Sequence, residues 1–346
     1  MSFPKGVSNR SVSRLAFLFP WVALGTTAVA VLAFGTPPRA YQLLPFAASI
    51  VLFGLPHGAV DHRTLPWAKG DPLTRRWLAV VGGLYLVVGL VYVGIWFSFP
   101  VAAFVGFILI TWFHWGQGEL HPLVRLVGPT HLRTRPARLL TIAVRGSLPM
   151  AVPLVAFPAE YRWVAAQLIG LFGSVNLAQL DPVFSPAGRT VVAATVGTLI
   201  VTSLAVGFRI GEGRHAWWVD AGELFGLTAF FLLVPPILAV GVFFCCWHSV
   251  RHITRLMLLD EQTASQLADG KTTRALARFA RQATPLSVAA LGLFGGLALA
   301  VPVAPVGWSD LFAVYLVGIA VVTAPHVIIV TWLDVEDGFW ATATGS

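Results

Sequence analysis

Charge is scarce in this chain. Of its 346 residues only 11% are Asp, Glu, Lys or Arg, against about 25% in an ordinary soluble domain. That shortage excludes both a soluble globular fold and a disordered, self-repelling chain. Cysteine is scarcer still. Cys245 and Cys246 are the only two and they are adjacent, so no disulfide framework can staple distant segments. The net charge of +8 comes from basic residues scattered along the chain rather than from a dense basic face, which argues against a nucleic-acid partner. What fills the chain instead is carbon, with 57% hydrophobic residues and a mean hydropathy of +0.78. The composition points to an all-α integral membrane protein, a polytopic helical bundle in a lipid bilayer.

A spanning helix takes about 20 mostly apolar residues. Ten stretches qualify: 15–34, 40–60, 77–97, 99–118, 139–157, 189–208, 217–234, 237–257, 285–303 and 309–330. Only Pro235-Pro236 separates the seventh from the eighth. One helix over 217–250 would run about 51 Å at 1.5 Å per residue, far beyond a core of about 30 Å. The two prolines also remove helical donors, so the pattern predicts a tight hairpin there. Residues 161–180 are apolar but are interrupted by Gln167, Asn176 and Gln179. They read as a segment lying on the membrane surface or capping the bundle. The first span resembles a signal peptide as far as Ala28-Val29-Ala30, but its apolar run continues to Phe34 and reads as a span. With no soluble module or long linker, residues 1–346 read as one transmembrane catalytic domain.

Positive charge orients the spans, because cytoplasmic loops are enriched in Lys and Arg. With a cytoplasmic N-terminus and 161–180 outside the membrane, 19 basic residues, Lys5 and Arg251 among them, fall inside. Arg39, Arg162 and Arg189 fall outside, and Arg145 lies within a span. Letting 161–180 cross changes the split to 12 and 10. The expectation is therefore ten spans with both termini cytoplasmic, multi-pass in the cell membrane.

Five of nine histidines lie inside spans: His57, His114, His248, His252 and His326. Ionisable residues in a membrane are costly and mark function by default. The second, fourth, eighth and tenth spans run the same way, and all five histidines sit in their last turns, so they should meet at one depth near the cytoplasmic side. His248 and His252 are spaced i, i+4, which puts both imidazoles on one face within reach of one ion. In Gly54–Asp61 the histidine is flanked by Pro56 and Gly58, and Asp61 sits four residues on, placed to hold a ring N–H as a supporting carboxylate. Glu119 follows His114 as either a supporting acceptor or a cytoplasmic charge. His326 follows Pro325 and reads as a supporting group rather than a primary ligand. His62 and His121 read as solvated, Arg145 as snorkelling to the interface, and Asp220 and Glu223 as supporting groups or helix N-terminal charges. Cys245 and Cys246 read as small buried hydrophobes. Imidazoles without thiolates suit Zn, Cu, Fe or Ni. A tetrahedral four-histidine zinc site would be closed and structural, whereas an octahedral Fe(II) site would keep two positions open.

The blocks Gly54–Asp61 (G-L-P-H-G-A-V-D), His114–Glu119 (H-W-G-x-x-E), His248–His252 (H-S-x-x-H) and Pro325–Ile329 (P-H-V-I-I) resemble, in order and spacing, the signature of the Brp/Blh-type β-carotene 15,15′-dioxygenases. The resemblance spans most of the chain. It implies an integral membrane enzyme with non-haem Fe(2+) that cleaves the central double bond of β-carotene with molecular oxygen to give two molecules of retinal. The family's ligands then fall on His57, His114, His248 and His252, with Asp61, Glu119 and His326 as supporting groups and no catalytic residue beyond the metal centre. Trp115 and Glu119 stand where the family commonly has phenylalanine and aspartate. A retinal-binding rhodopsin would be a functional partner. The alternatives are a metal-ion transporter or a haem electron carrier, while a di-iron desaturase would need about eight clustered ligands. Lys5, Lys69 and Lys271 are the only lysines and none is mid-span, which leaves no support for an opsin-like Schiff base.

Overall fold

A computed structural model describes residues 10–173, 176–212 and 214–340; Lys5, counted among the cytoplasmic charges, lies outside them. All regular structure among the described residues is helical. Ten helices are long and apolar enough to cross a membrane. They are α1 (Arg10–Phe34), α2 (Arg39–Lys69), α3 (Arg75–Ser98), α4 (Pro100–Val127), α5 (Arg135–Ala156), α7 (Pro186–Ile210), α8 (Arg214–Leu233), α9 (Pro236–Leu259), α10 (Thr272–Ala300) and α11 (Trp308–Glu336). Between α5 and α7 lies the shorter α6 (Pro158–Gly170). The described residues thus form a multi-pass helical bundle with ten helices able to span, as many as the sequence predicts.

Local chemistry sets the helix starts. Thr74, Thr134 and Ser185 cap α3, α5 and α7, each accepting a backbone N–H two or three positions inside the helix. Proline opens α4, α6 and α9, where a missing N–H costs nothing and the fixed φ is already helical. At Pro235-Pro236 the chain reverses as the sequence predicts. Phe231 packs on Phe243 with ring centroids 5.4 Å apart, and further from the turn Glu223 meets Arg251 at 2.5 Å.

The bundle is layered by burial. In α9, 83% of the apolar window is inside, against 11% in α7 and 17% in α3 and α10. Helices α5, α9 and α11 therefore form the centre, while α3, α7 and α10 present their apolar sides outward, where lipid would cover them. The basic helix ends gather at one end of the bundle. Lys69 pairs with Glu336 at 2.9 Å, Arg255 with Asp337 at 3.1 Å and Arg278 with Asp260 at 2.9 Å.

Helix α6 caps the opposite end, as one of the two sequence readings of 161–180 has it. Its Trp163 ring stacks on Phe312 with centroids 6.4 Å apart, and the Arg39 guanidinium sits 4.1 Å over Trp163. Phe312 precedes His326 by 14 positions on α11, about 21 Å along the axis at 1.5 Å per residue. Burial of Leu168 and Ile169 holds the cap down.

Candidate metal centre

Helices α2, α4, α9 and α11 each bring histidine to one point. Helix α2 is not continuous there. It breaks after Val51 and again at Ala59-Val60, leaving the short turn Gly54–Gly58 that carries His57. His57 Nδ1 bonds to the Gly54 carbonyl, which fixes its ring. In α9 the residues Phe243–His248 form a π-helical turn that delivers His248, a device that re-aims side chains at functional sites. Gly118 on α4 makes room for it: a Cβ there would stand 2.7 Å from His248 Cε1.

The five intramembrane histidines converge as the spacing predicts. All are at most 8% exposed. Ring centroids lie 4.8 Å apart for His114–His248 and for His114–His326, 5.0 Å for His57–His326, 5.2 Å for His252–His326 and 5.5 Å for His57–His252. The His248 and His252 rings are parallel within 10°. His57, His114 and His326 each offer a ligand atom, and the three atoms lie within 4.8 Å of one another.

The donor set fits a metal ion. His252 Nε2 and His326 Nε2 are buried without a hydrogen-bond partner, although buried polar nitrogens are normally satisfied. The Nε2 atoms of His114 and His248 stand 3.1 Å apart. Two imidazole nitrogens bound at ~2.1 Å and at right angles on one ion stand about 3 Å apart.

Asp61 supports a histidine, but not the one four residues before it. The break at Ala59-Val60 cancels the helical i, i+4 relation, so Asp61 opens a new segment. Its Oδ2 accepts from the Tyr85 hydroxyl at 2.6 Å and lies 2.8 Å from His326 Nδ1. With the proton held on Nδ1, the lone pair of His326 Nε2 is free to face the cluster. Glu119 touches no histidine through any hydrogen bond described. It is fully buried and accepts from Trp247 Nε1 at 2.8 Å, Arg251 at 3.0 Å and Arg145 at 3.3 Å.

Those contacts belong to a buried ion network beside the histidines, between α4, α5, α8 and α9. Arg145 also bonds Asp220 at 2.7 Å and Glu223 at 2.9 Å, and His131 pairs with Asp220 at 2.8 Å. Arg251 lies 3.9 Å over the Trp247 ring. Four sequence readings are corrected here. Arg145 does not snorkel, because three carboxylates hold it inside at 1% exposure. Arg251, counted as a cytoplasmic charge, is an interior member of the network. His121 is buried against Phe339 rather than solvated. His62 is half-buried and lines a cavity. Tyr85 and Trp247 were not singled out. The only signal for Tyr85 is a hydroxyl within an apolar span, a feature it shares with Tyr92, and it identifies no partner. Cys245 is buried and free, as expected, while Cys246 is half-buried.

Two cavities meet at His57, sharing it with Phe244, Ile319 and Thr323. The first, of about 100 Å³, reaches from His57 and His114 towards α6 between Phe104, Phe107, Phe312 and Pro236. The second, of about 470 Å³, lies beside His326 and Tyr85 and is bounded by Leu78 and Gly82 of α3 and Leu286 and Leu293 of α10. Both walls are dominated by carbon.

Comparison with known proteins identifies relatives along nearly the whole chain. Residues 48–334 match the family model described as Beta-carotene 15,15′-dioxygenase. The chain is 44% identical over 332 residues to the probable beta-carotene 15,15′-dioxygenase Blh of Halobacterium salinarum, covering 96% of this chain and 95% of that one. It is 30% identical over 321 residues to the probable beta-carotene 15,15′-dioxygenase Brp of the same organism, covering 88% and 86%. No solved structure matches. With the family model matching residues 48–334 and 44% identity running through nearly the whole length, the chain belongs to the β-carotene 15,15′-dioxygenase family.

Proposed function

We propose that this chain cleaves the central 15,15′ double bond of β-carotene with molecular oxygen, giving two molecules of retinal, as one transmembrane catalytic domain over residues 1–346. The observation that carries the reading is the meeting of five buried imidazoles, two with an unpartnered Nε2 and two with Nε2 atoms 3.1 Å apart, with two carbon-lined cavities in a member of this family. Fe(2+) is the ion proposed, held by His57, His114, His248 and His252, with His326 fixed beside them by Asp61. Iron would supply the binding and activation of oxygen. The protein does the rest. Its cavities take an apolar polyene directly from the bilayer, and the aromatic walls of Phe244 and Trp115 hold it against the histidines and keep water out. The ion network closes the side formed by α5 and α8. The distribution of Lys and Arg supports the reading that both termini are cytoplasmic, and the membrane proposed is the cell membrane. A retinal-binding rhodopsin is proposed as the functional consumer of the product.

A second ligand set is favoured by one observation. The ligand atoms of His57, His114 and His326 approach one another within 4.8 Å, which suits His326 as a primary ligand. Iron content of purified His326→Ala separates the two, being retained if His326 only supports and lost if it ligates.

The function is tested in a β-carotene-producing bacterial host, with retinal and residual β-carotene quantified by chromatography and His252→Ala as control. Retinal from the unaltered chain alone is the expected result. An iron-loaded chain without retinal would move the substrate to another carotenoid or lipid, and a metal-free chain would favour a transporter.

A further inference from the structure

The narrower cavity has a floor at one end and a stop at the other. Its floor is His57 and His114. On α4 its lining runs from His114 back to Phe104, on α11 from Thr323 back to Phe312, and on α9 from Phe244 back to Pro236. At 1.5 Å per residue these runs give a depth of about 12–16 Å. At the far end Tyr161, Val164 and Leu168 face inward, the i, i+3, i+7 spacing of one helix face. All three belong to α6, the helix that caps the bundle instead of crossing it. Leu168 is wholly buried, and the stacking of Trp163 on Phe312 fixes α6 at that depth.

We propose that the α6 face formed by Tyr161, Val164 and Leu168 is the end-stop that selects which double bond of the polyene lies at the histidines. The inference rests on the carotenoid reading above. A hydrocarbon polyene has no hydrogen-bonding group, and a carbon-lined wall offers it no fixed register along its length. Only contact at its end can set that register. The wider cavity cannot do so, because at about 470 Å³ it is roomy and is bounded by the outward-facing helices α3 and α10. Cleavage breaks one C=C bond and the O–O bond of one oxygen molecule and forms two C=O bonds, one oxygen atom on each carbon, with no further reductant. Equal products therefore require the ring-bearing half of the substrate to fill the cavity from histidines to stop. A conjugated chain repeats every two carbon–carbon bonds, and truncating Leu168 to alanine retracts the wall by the same two bonds.

The test uses the full chain in the carotene-producing host, with aldehydes resolved by chromatography and mass spectrometry and iron measured on the purified protein. Leu168→Ala and Val164→Ala deepen the cavity, and Val164→Phe shortens it. With iron content unchanged, Leu168→Ala is expected to raise unequal-length aldehydes at least tenfold relative to retinal, and Val164→Ala, which retracts the wall by one bond, to raise them less. Val164→Phe is expected to cut retinal at least fivefold. Retinal as the sole product at unaltered yield from the folded variants overturns the end-stop, as does loss of all aldehydes from iron-loaded Val164→Ala. If Leu168→Ala fails to accumulate in the membrane, the two Val164 variants decide. If the unaltered chain makes no retinal, the carotenoid reading fails instead.

Discussion

The two sides of the histidine cluster are made on opposite principles. Towards α6 the wall is carbon, with Phe104, Phe107, Phe244 and Phe312 around a cavity. Towards α5 and α8 it is charge, with Arg145 and Arg251 each shared between Glu119 and Glu223. A carbon wall can release and readmit a hydrocarbon without leaving any polar atom unsatisfied. An ion network in a low-dielectric interior behaves otherwise, since each charge is tolerable only while its partners remain. The first side is suited to exchange and the second to holding its shape, and the histidines stand where the two meet.

The largest effect should come from the meeting point. His114→Ala removes the ring that faces both His248 and His326. Bound metal and product formation should both fall to background while the chain still inserts in the membrane. Elemental analysis and retinal yield measure this, and a fully active variant would end the histidine-centre reading.

Next comes the charged side. Arg251→Ala leaves Glu119 and Glu223 short of a partner in the interior. Breaking a buried pair in this way costs about 3–5 kcal/mol, which should appear as a large drop in the detergent unfolding midpoint even without metal. An unchanged midpoint would show that water reaches the network and that the contrast between the two sides is false.

Asp61→Asn probes the support of the cluster rather than its walls. The carboxylate lies 2.8 Å from His326 Nδ1, and loss of such a partner typically lowers metal affinity or activity about 10–100-fold. Retinal yield should fall in that range with folding and iron retained if His326 only supports the centre. Metal affinity falling with it would assign His326 to the ligands, and an unchanged yield and affinity would mean that His326 needs no anchor.

The sequence made different parts of this arrangement legible for different reasons. The ten spans follow from run length, and the reversal at Pro235-Pro236 from a helix too long for a bilayer; both are one-dimensional facts. The meeting of the histidines followed from span direction alone, because their depth depends only on position along parallel helices. The partners of Asp61, Glu119 and Arg145 were not legible. A partner depends on how each helix is rotated about its axis, and rotation is set by packing against several neighbours at once. The break at Ala59-Val60 and the π-turn at Phe243–His248 also shift helical phase, so spacing counted along the sequence fails across them. Arg145 shows the limit most clearly. A lone arginine near a helix end reads as snorkelling until three carboxylates from α4 and α8 are found around it.

The smallest effect belongs to the carbon side. Ile319 lies on the wall of both cavities, and Ile319→Val removes one methyl group. In a tightly packed core that change costs about 0.5–1.5 kcal/mol, part of it for the new void. Here the side chain already borders empty space, so little packing is lost and the cost should sit near the transfer value of about 0.8 kcal/mol per methylene. The unfolding midpoint should move several times less than for Arg251→Ala. Comparable shifts in the two variants would mean that the carbon wall bears as much of the stability as the ion network, and the division between an exchanging side and a holding side would have to be given up.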